Sequence, residues 1–127
     1  MFLIDSSGWI EFFTDGPLSA QYSKYFKEPT KIITPSIVLY EVYKKIKMER
    51  TEEDALLAVS LVNKTLIVPL NDSIALLAAD VSLKYSLPMA DAIVYATALE
   101  NNCTVITGDA HFKGLDKVVL VMQSDKR

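Results

Sequence analysis

A single cysteine, Cys103, cannot close an internal disulfide, so nothing in the chain demands an oxidising compartment. With one histidine and one cysteine there is no Cys/His cluster of the kind that holds zinc. Apolar runs long enough to span a membrane are missing, and Met1 opens no signal-peptide pattern. The expectation is therefore a cytoplasmic protein that does not enter membranes. Thirteen basic residues against 16 acidic ones leave a net charge of −3, which excludes a simple electrostatic nucleic-acid binder. Linkers, repeats and low-complexity segments are also absent. What is present is a chain of 127 residues, 50% apolar and 23% charged. It reads as one globular domain over residues 1–127, large enough to bury roughly two-thirds of its unfolded surface.

Short β-rich runs alternate with helical patterns. "FLID" (2–5) reads as a strand opening into "SSGWIEFF", where Ser6 or Ser7 can cap a helix. A turn at "DGP" precedes a second helix carrying "LSAQYSKYFK". "KIIT" (31–34) is the next strand, and a helix follows from Pro35-Ser36 to about Met48 with Val38, Val42 and Ile46 on one face. Thr51 and Asp54 resemble a capping box before "ALLAVSLV". "LIVPL" (66–70) reads as a buried strand, and Asn71 or Asp72 caps a helix with Ile74, Leu77 and Val81 in register. The apolar stretch "PMADAIVYATALE" forms the last helix, and "TVIT" (104–107) and "KVVLV" (117–121) read as the fourth and fifth core strands. Alternation of this kind predicts an α/β fold, a three-layer sandwich with a parallel sheet between helices.

In a parallel sheet the strands end on one edge, and the loops leaving it build the site. Asp5 ends the first strand and Asp109 follows the fourth, so both fall on that edge. Asp91 sits in the first turn of a helix, where the dipole favours an anion. Glu41 lies where the apolar face of its helix turns toward Lys44 and Lys45. Singly, each acid has a local explanation: a cap for Asp5, a turn for Asp109, a helix-terminal charge for Asp91, a surface pair with Lys45 for Glu41. Together they repel unless protonated or neutralised by a cation. Oxygen-only ligands suit Mg²⁺ or Mn²⁺.

"FLIDSSGWIEFF", "SIVLYEV", "LPMADAIVYATA" and "TVITGDAHF", in this order, resemble the PIN domain, and within it the VapC-like toxins of type II toxin–antitoxin systems. The resemblance spans nearly the whole chain. It implies a five-stranded parallel sheet flanked by helices and a metal-dependent endoribonuclease. Asp5, Glu41, Asp91 and Asp109 fall on the acidic positions that hold one or two Mg²⁺ or Mn²⁺ ions, and Asp91 thereby gains a reason to sit in an apolar helix. Thr107 matches a hydroxyl position that orients the last acid or a water, and Ser6 is a lesser candidate. The implied chemistry is hydrolysis of an RNA phosphodiester by metal-activated water, leaving a 5′-phosphate and a 3′-hydroxyl. Implied partners are a second copy of the chain and a small VapB-like antitoxin whose tail lies along a hydrophobic groove. Many relatives carry a further Asp where this chain has His111.

Lys44 and Lys45 are the expected contacts to the RNA backbone, with Lys47 and Arg50 on a solvated face. His111 reads as an ordinary loop histidine before it reads as a general base, and Cys103 as a small packed hydrophobe. The surplus of apolar residues in the first helix, Trp9, Ile10, Phe12 and Phe13, suits core and a partner surface. A stand-alone PIN nuclease of RNA processing or decay and a catalytically silent PIN scaffold are the alternatives. A receiver-type phospho-acceptor domain fits poorly, since "IDSS" lacks a second acid and Lys126 falls too late.

Overall fold

A computed structural model of the chain describes residues 1–122, so Lys126 lies outside the described residues. The strands are β1 (Phe2–Ile4), β2 (Ile32–Pro35), β3 (Leu66–Val68), β4 (Thr104–Thr107) and β5 (Val118–Leu120). They form one sheet in the order β3-β2-β1-β4-β5, and every pairing is parallel. Parallel neighbours require crossovers. Up to β4 these are supplied by α1 (Ser6–Phe13), α2 (Ser19–Ser23), α3 (Ser36–Glu49), α4 (Glu52–Val62), α5 (Asp72–Tyr85) and α6 (Met89–Glu100), and from β4 to β5 by a loop with one 3-10 turn, Ala110–Phe112. From β1 the chain steps outward through β2 to β3, then returns past β1 to β4 and β5. Right-handed crossovers taken in opposite directions put α1 to α4 on one face of the sheet and α5 with α6 on the other.

Core strands are buried on both faces: Leu3, Ile4, Ile32, Ile33, Val105 and Ile106 are all inaccessible to solvent or nearly so. Continuous apolar runs are what a strand covered on both sides needs. β3 and β5 differ from expectation. Both are edge strands, and Leu66 and Val119 are exposed, so "LIVPL" is not the buried strand that its composition suggests. The second helix is also shorter than its pattern, five residues before the chain turns at 24–27. In α6 the seven residues Ala92 to Ala98 are all buried. Wedged between α5, the sheet and part of α3, this helix has no solvent stripe and hence no amphipathic period.

Caps set the helix starts. Asn71 accepts from Ile74 N at 2.9 Å and Thr51 from Asp54 N at 3.1 Å. For α1 the cap is Asp5 rather than Ser6 or Ser7, which form its first turn. The apolar surplus of α1 is largely spent inside: Trp9 is buried edge-on to Phe26, and Phe12 stacks on the same ring. Cys103 is buried as expected of a packed hydrophobe. No helix among the described residues is long and apolar enough to cross a membrane.

Candidate active site

The reversal of strand order lies between β1 and β4, and crevices of this kind at the carboxyl edge are where open α/β sheets bind ligands. Asp5 leaves β1 there with only 5% of its surface exposed. One carboxylate oxygen, Oδ1, accepts from Ser7 Oγ at 2.7 Å and from Gly8 N at 3.2 Å. The other, Oδ2, accepts from Thr107 Oγ1, across the strand boundary, at 2.5 Å. Thr107 Oγ1 in turn accepts from Asp109 N at 2.9 Å, so one buried hydroxyl ties the first acid to the loop of the last.

Asp109 caps a short 3-10 turn, Ala110–Phe112, by accepting from His111 N. Asp91 enters from the first turn of α6 and stands close to Asp109, with the imidazole of His111 between them. His111 Nδ1 lies 2.7 Å from Asp109 Oδ1 and 3.1 Å from Asp91 Oδ2. The ordinary loop histidine expected from the sequence is therefore corrected: this ring faces the acids. Glu41, on α3, lies on the α1 side of the cluster beside Ser6, and the pair lines an open groove of about 570 Å³ with Ile10, Tyr40, Lys44 and Lys45. The surface pair imagined for Glu41 does not form. Lys45 binds Glu49 instead, at 2.8 Å.

The chain matches the PIN domain over residues 2–118. It belongs to the PIN domain family. Solved structures place the same fold in toxin–antitoxin proteins. One, a toxin–antitoxin complex from Klebsiella pneumoniae, superposes with a TM-score of 0.82 at 24% identity, over 98% of this chain and 100% of that one. VapC20 of Mycobacterium tuberculosis, a toxin cleaving the sarcin–ricin loop, gives 0.75 at 13% identity over 91% and 95% of the two chains. DNA-bound VapBC from Salmonella typhimurium gives 0.75 at 12%, over 94% and 95%. At such identities the likeness is one of fold. No curated protein sequence matches the chain significantly.

Electrostatics in this PIN domain are those of crowded acids. Burial raises the Asp5 carboxyl above its ordinary value, against the opposing hydrogen bonds from Thr107, Ser7 and Gly8. Burial likewise raises Glu41, with the Ser6 hydroxyl opposing and the Asp109 charge adding. Asp91 is pushed up to about 7, first by burial, then by the Asp109 charge beside it, while His111 opposes. Asp109 is thus the charge that all three other acids feel. Asp91 and Asp109, with His111, bring ligand atoms within 4.8 Å of one another, while Asp5 and Glu41 stand near enough to feel the Asp109 charge; crowded oxygen donors of this kind suit a hard divalent cation. The donor set fits such an ion.

Two residues escaped the sequence reading. Ser7 donates to Asp5 and accepts from Gly108 N at 3.3 Å, so it braces the first acid against the β4 loop. Tyr22 is buried with its hydroxyl toward Ser7, and burial beside Asp5 pushes it up to about 12. The only sequence signal was Gly8. A Cβ there would sit 2.5 Å from Tyr22 Cε1 and 2.7 Å from Ile4 Cγ2, so the glycine gives Tyr22 its seat. Gly8→Ala therefore has competing terms. Helix propensity favours alanine by about 1 kcal/mol, whereas overpacking costs about 1–3 kcal/mol. The clash wins because it meets a ring and a strand residue, neither free to move. We expect a lower urea midpoint with unchanged slope; a higher midpoint would show that Tyr22 can yield.

Proposed function

We propose that this PIN domain is a divalent-metal-dependent endoribonuclease and the toxin of a VapBC-type toxin–antitoxin pair. The observation that carries the reading is the convergence of Asp5, Asp91 and Asp109 at the strand-order reversal, with Glu41 flanking, in a protein of the PIN family. Asp5, Glu41, Asp91 and Asp109 would hold one or two Mg²⁺ or Mn²⁺ ions. Bound there, such an ion supplies charge for the phosphoryl oxygens and makes water a better nucleophile. Thr107 and Ser7 keep Asp5 in one orientation, and Thr107 also fixes the Asp109 loop. Positioning of this kind, together with charge stabilisation, is the main lever in phosphoryl chemistry.

The groove beside Glu41 gives the substrate a path. Lys44 has no carboxylate partner among the described residues and rests against the Tyr40 hydroxyl at 3.2 Å, which leaves its charge for an RNA phosphate. Lys45, shared with Glu49, is the weaker candidate. Apolar Ile10 and Met48 in the same groove would also receive an antitoxin segment, in keeping with the toxin–antitoxin complexes that share the fold. A homodimer and a cytoplasmic location complete the proposal.

The test is cleavage of an end-labelled RNA panel by the purified chain with Mg²⁺, Mn²⁺ or EDTA. Cutting that requires the metal and leaves 5′-phosphate ends is the expected result. Cutting that is unchanged in EDTA would reject the metal reading.

A further inference from the structure

We propose that His111 is itself a ligand of the divalent ion, giving this centre one nitrogen donor and a preference for Mn²⁺ over Mg²⁺. The inference rests on the metal-nuclease reading above and concerns which ion the centre selects.

Three features of the loop carry it. Phe112 is fully buried and Asp109 caps the turn, so the neighbouring His111 is anchored on both sides. Its backbone N–H donates to Asp109 Oδ1, which brings the residue beside the acids, and the half-exposed ring reaches them through Nδ1. Nδ1 then sits 2.7 Å from one Asp109 oxygen and 3.1 Å from one Asp91 oxygen. Two donors at right angles around an ion with bonds of about 2.1 Å are about 3 Å apart. Nδ1 is thus at the spacing of an adjacent ligand, and one donor atom from each of Asp91, Asp109 and His111 lies within 4.8 Å of the others.

His111 Nδ1 lies within hydrogen-bond distance of both acids, and the shared proton can sit on the ring or on a carboxyl. An ion held there would require the lone pair of Nδ1, with the single N–H of the neutral ring on Nε2. The consequence is chemical. Mg²⁺ takes oxygen and parts with water reluctantly, whereas first-row transition ions accept imidazole readily. Of those ions, Mn²⁺ also suits the carboxylates around it.

The chain has a single histidine, which makes the test unambiguous. Mn²⁺ is titrated into tag-free protein, and pulsed electron paramagnetic resonance is recorded for nitrogen modulation from a coordinated imidazole. Modulation in the wild type that vanishes in His111→Gln is the expected result. Calorimetric titration of Mn²⁺ and of Mg²⁺ should show the preference for Mn²⁺ falling about tenfold or more in His111→Asp, which keeps a donor but makes it oxygen. Bound Mn²⁺ without nitrogen modulation would overturn the assignment of His111 and leave the metal centre standing. No binding of Mn²⁺ by the wild type would overturn both.

Discussion

Asp5→Asn should reduce RNA cleavage by on the order of 10²- to 10³-fold while leaving the protein as stable as before, or more so. Asp5 has two roles, and asparagine keeps only one of them. As the cap of α1 it needs an oxygen for Gly8 N and Ser7 Oγ, and asparagine supplies one, being as good a cap as aspartate. As a charge buried to 5% exposure it is held at a penalty in the metal-free state, and asparagine removes that penalty. Thr107 loses an acceptor; its oxygen can accept from the new amide as well as from Asp109 N, and the buried O–H left without a partner is offset by the charge removed. Asp5→Ala, by contrast, should lose cleavage and also about 1 kcal/mol of stability with the cap. Cleavage rates and melting temperatures of both variants, measured side by side, decide the matter. Near-normal cleavage by Asp5→Asn would falsify the placement of Asp5 in the centre.

The second large effect is a coupling of metal and pH in the melting temperature. In the metal-free protein the folded state keeps a proton on Asp91 up to about 7, whereas the unfolded chain releases it near 3.8. Below the lower value both states hold the proton and the group contributes no difference. Between the two values the unfolded chain has shed a proton that the folded one retains, so stability falls as pH rises and the loss is complete above about 7. Asp5 and Glu41 are shifted in the same direction and add to it. At about 1.4 kcal/mol per unit, and discounted for the partial exposure of Asp91, the loss is on the order of 2 kcal/mol.

A divalent ion reverses the slope, because it binds the ionised acids and competes with protons. The gain in melting temperature on adding Mn²⁺ should therefore be small near pH 5 and larger by several degrees near pH 8. Scanning calorimetry at both pH values, with and without the ion, reads this directly. An equal gain at both would mean that the shifted acids do not share the ion.

Much of the fold was legible because parallel strands are written as short apolar runs between helical periods. "FLI", "IIT" and "TVIT" all declare themselves this way, and the all-parallel sheet follows from the alternation. Which strand lies at an edge was not legible. "LIV" and "VVL" are as apolar as the central runs, and exposure depends on strand order, a property of the whole topology.

The site shows the same division. Singly the acids had local explanations in the sequence, and it was the resemblance to a family that drew the four together. The bracing groups could not be picked out. Ser6 and Ser7 are adjacent and chemically identical, yet successive positions on a helix point in different directions. One turns to Glu41 and the other back to Asp5. Tyr22 and His111 depend on contacts made across the fold or around a turn that no spacing rule anticipates.

One pairing described above also sets a clock. The strand β1 lies between β2 and β4, and its register on the β4 side sets Phe2 opposite Thr104. The hydrogen bond from Thr107 to Asp5 likewise spans 102 positions. Contacts so distant along the chain are slow to form, because the long loop between them must close first. The acidic centre is therefore assembled only once β4 has been made and has docked beside β1, about a hundred positions after its first acid.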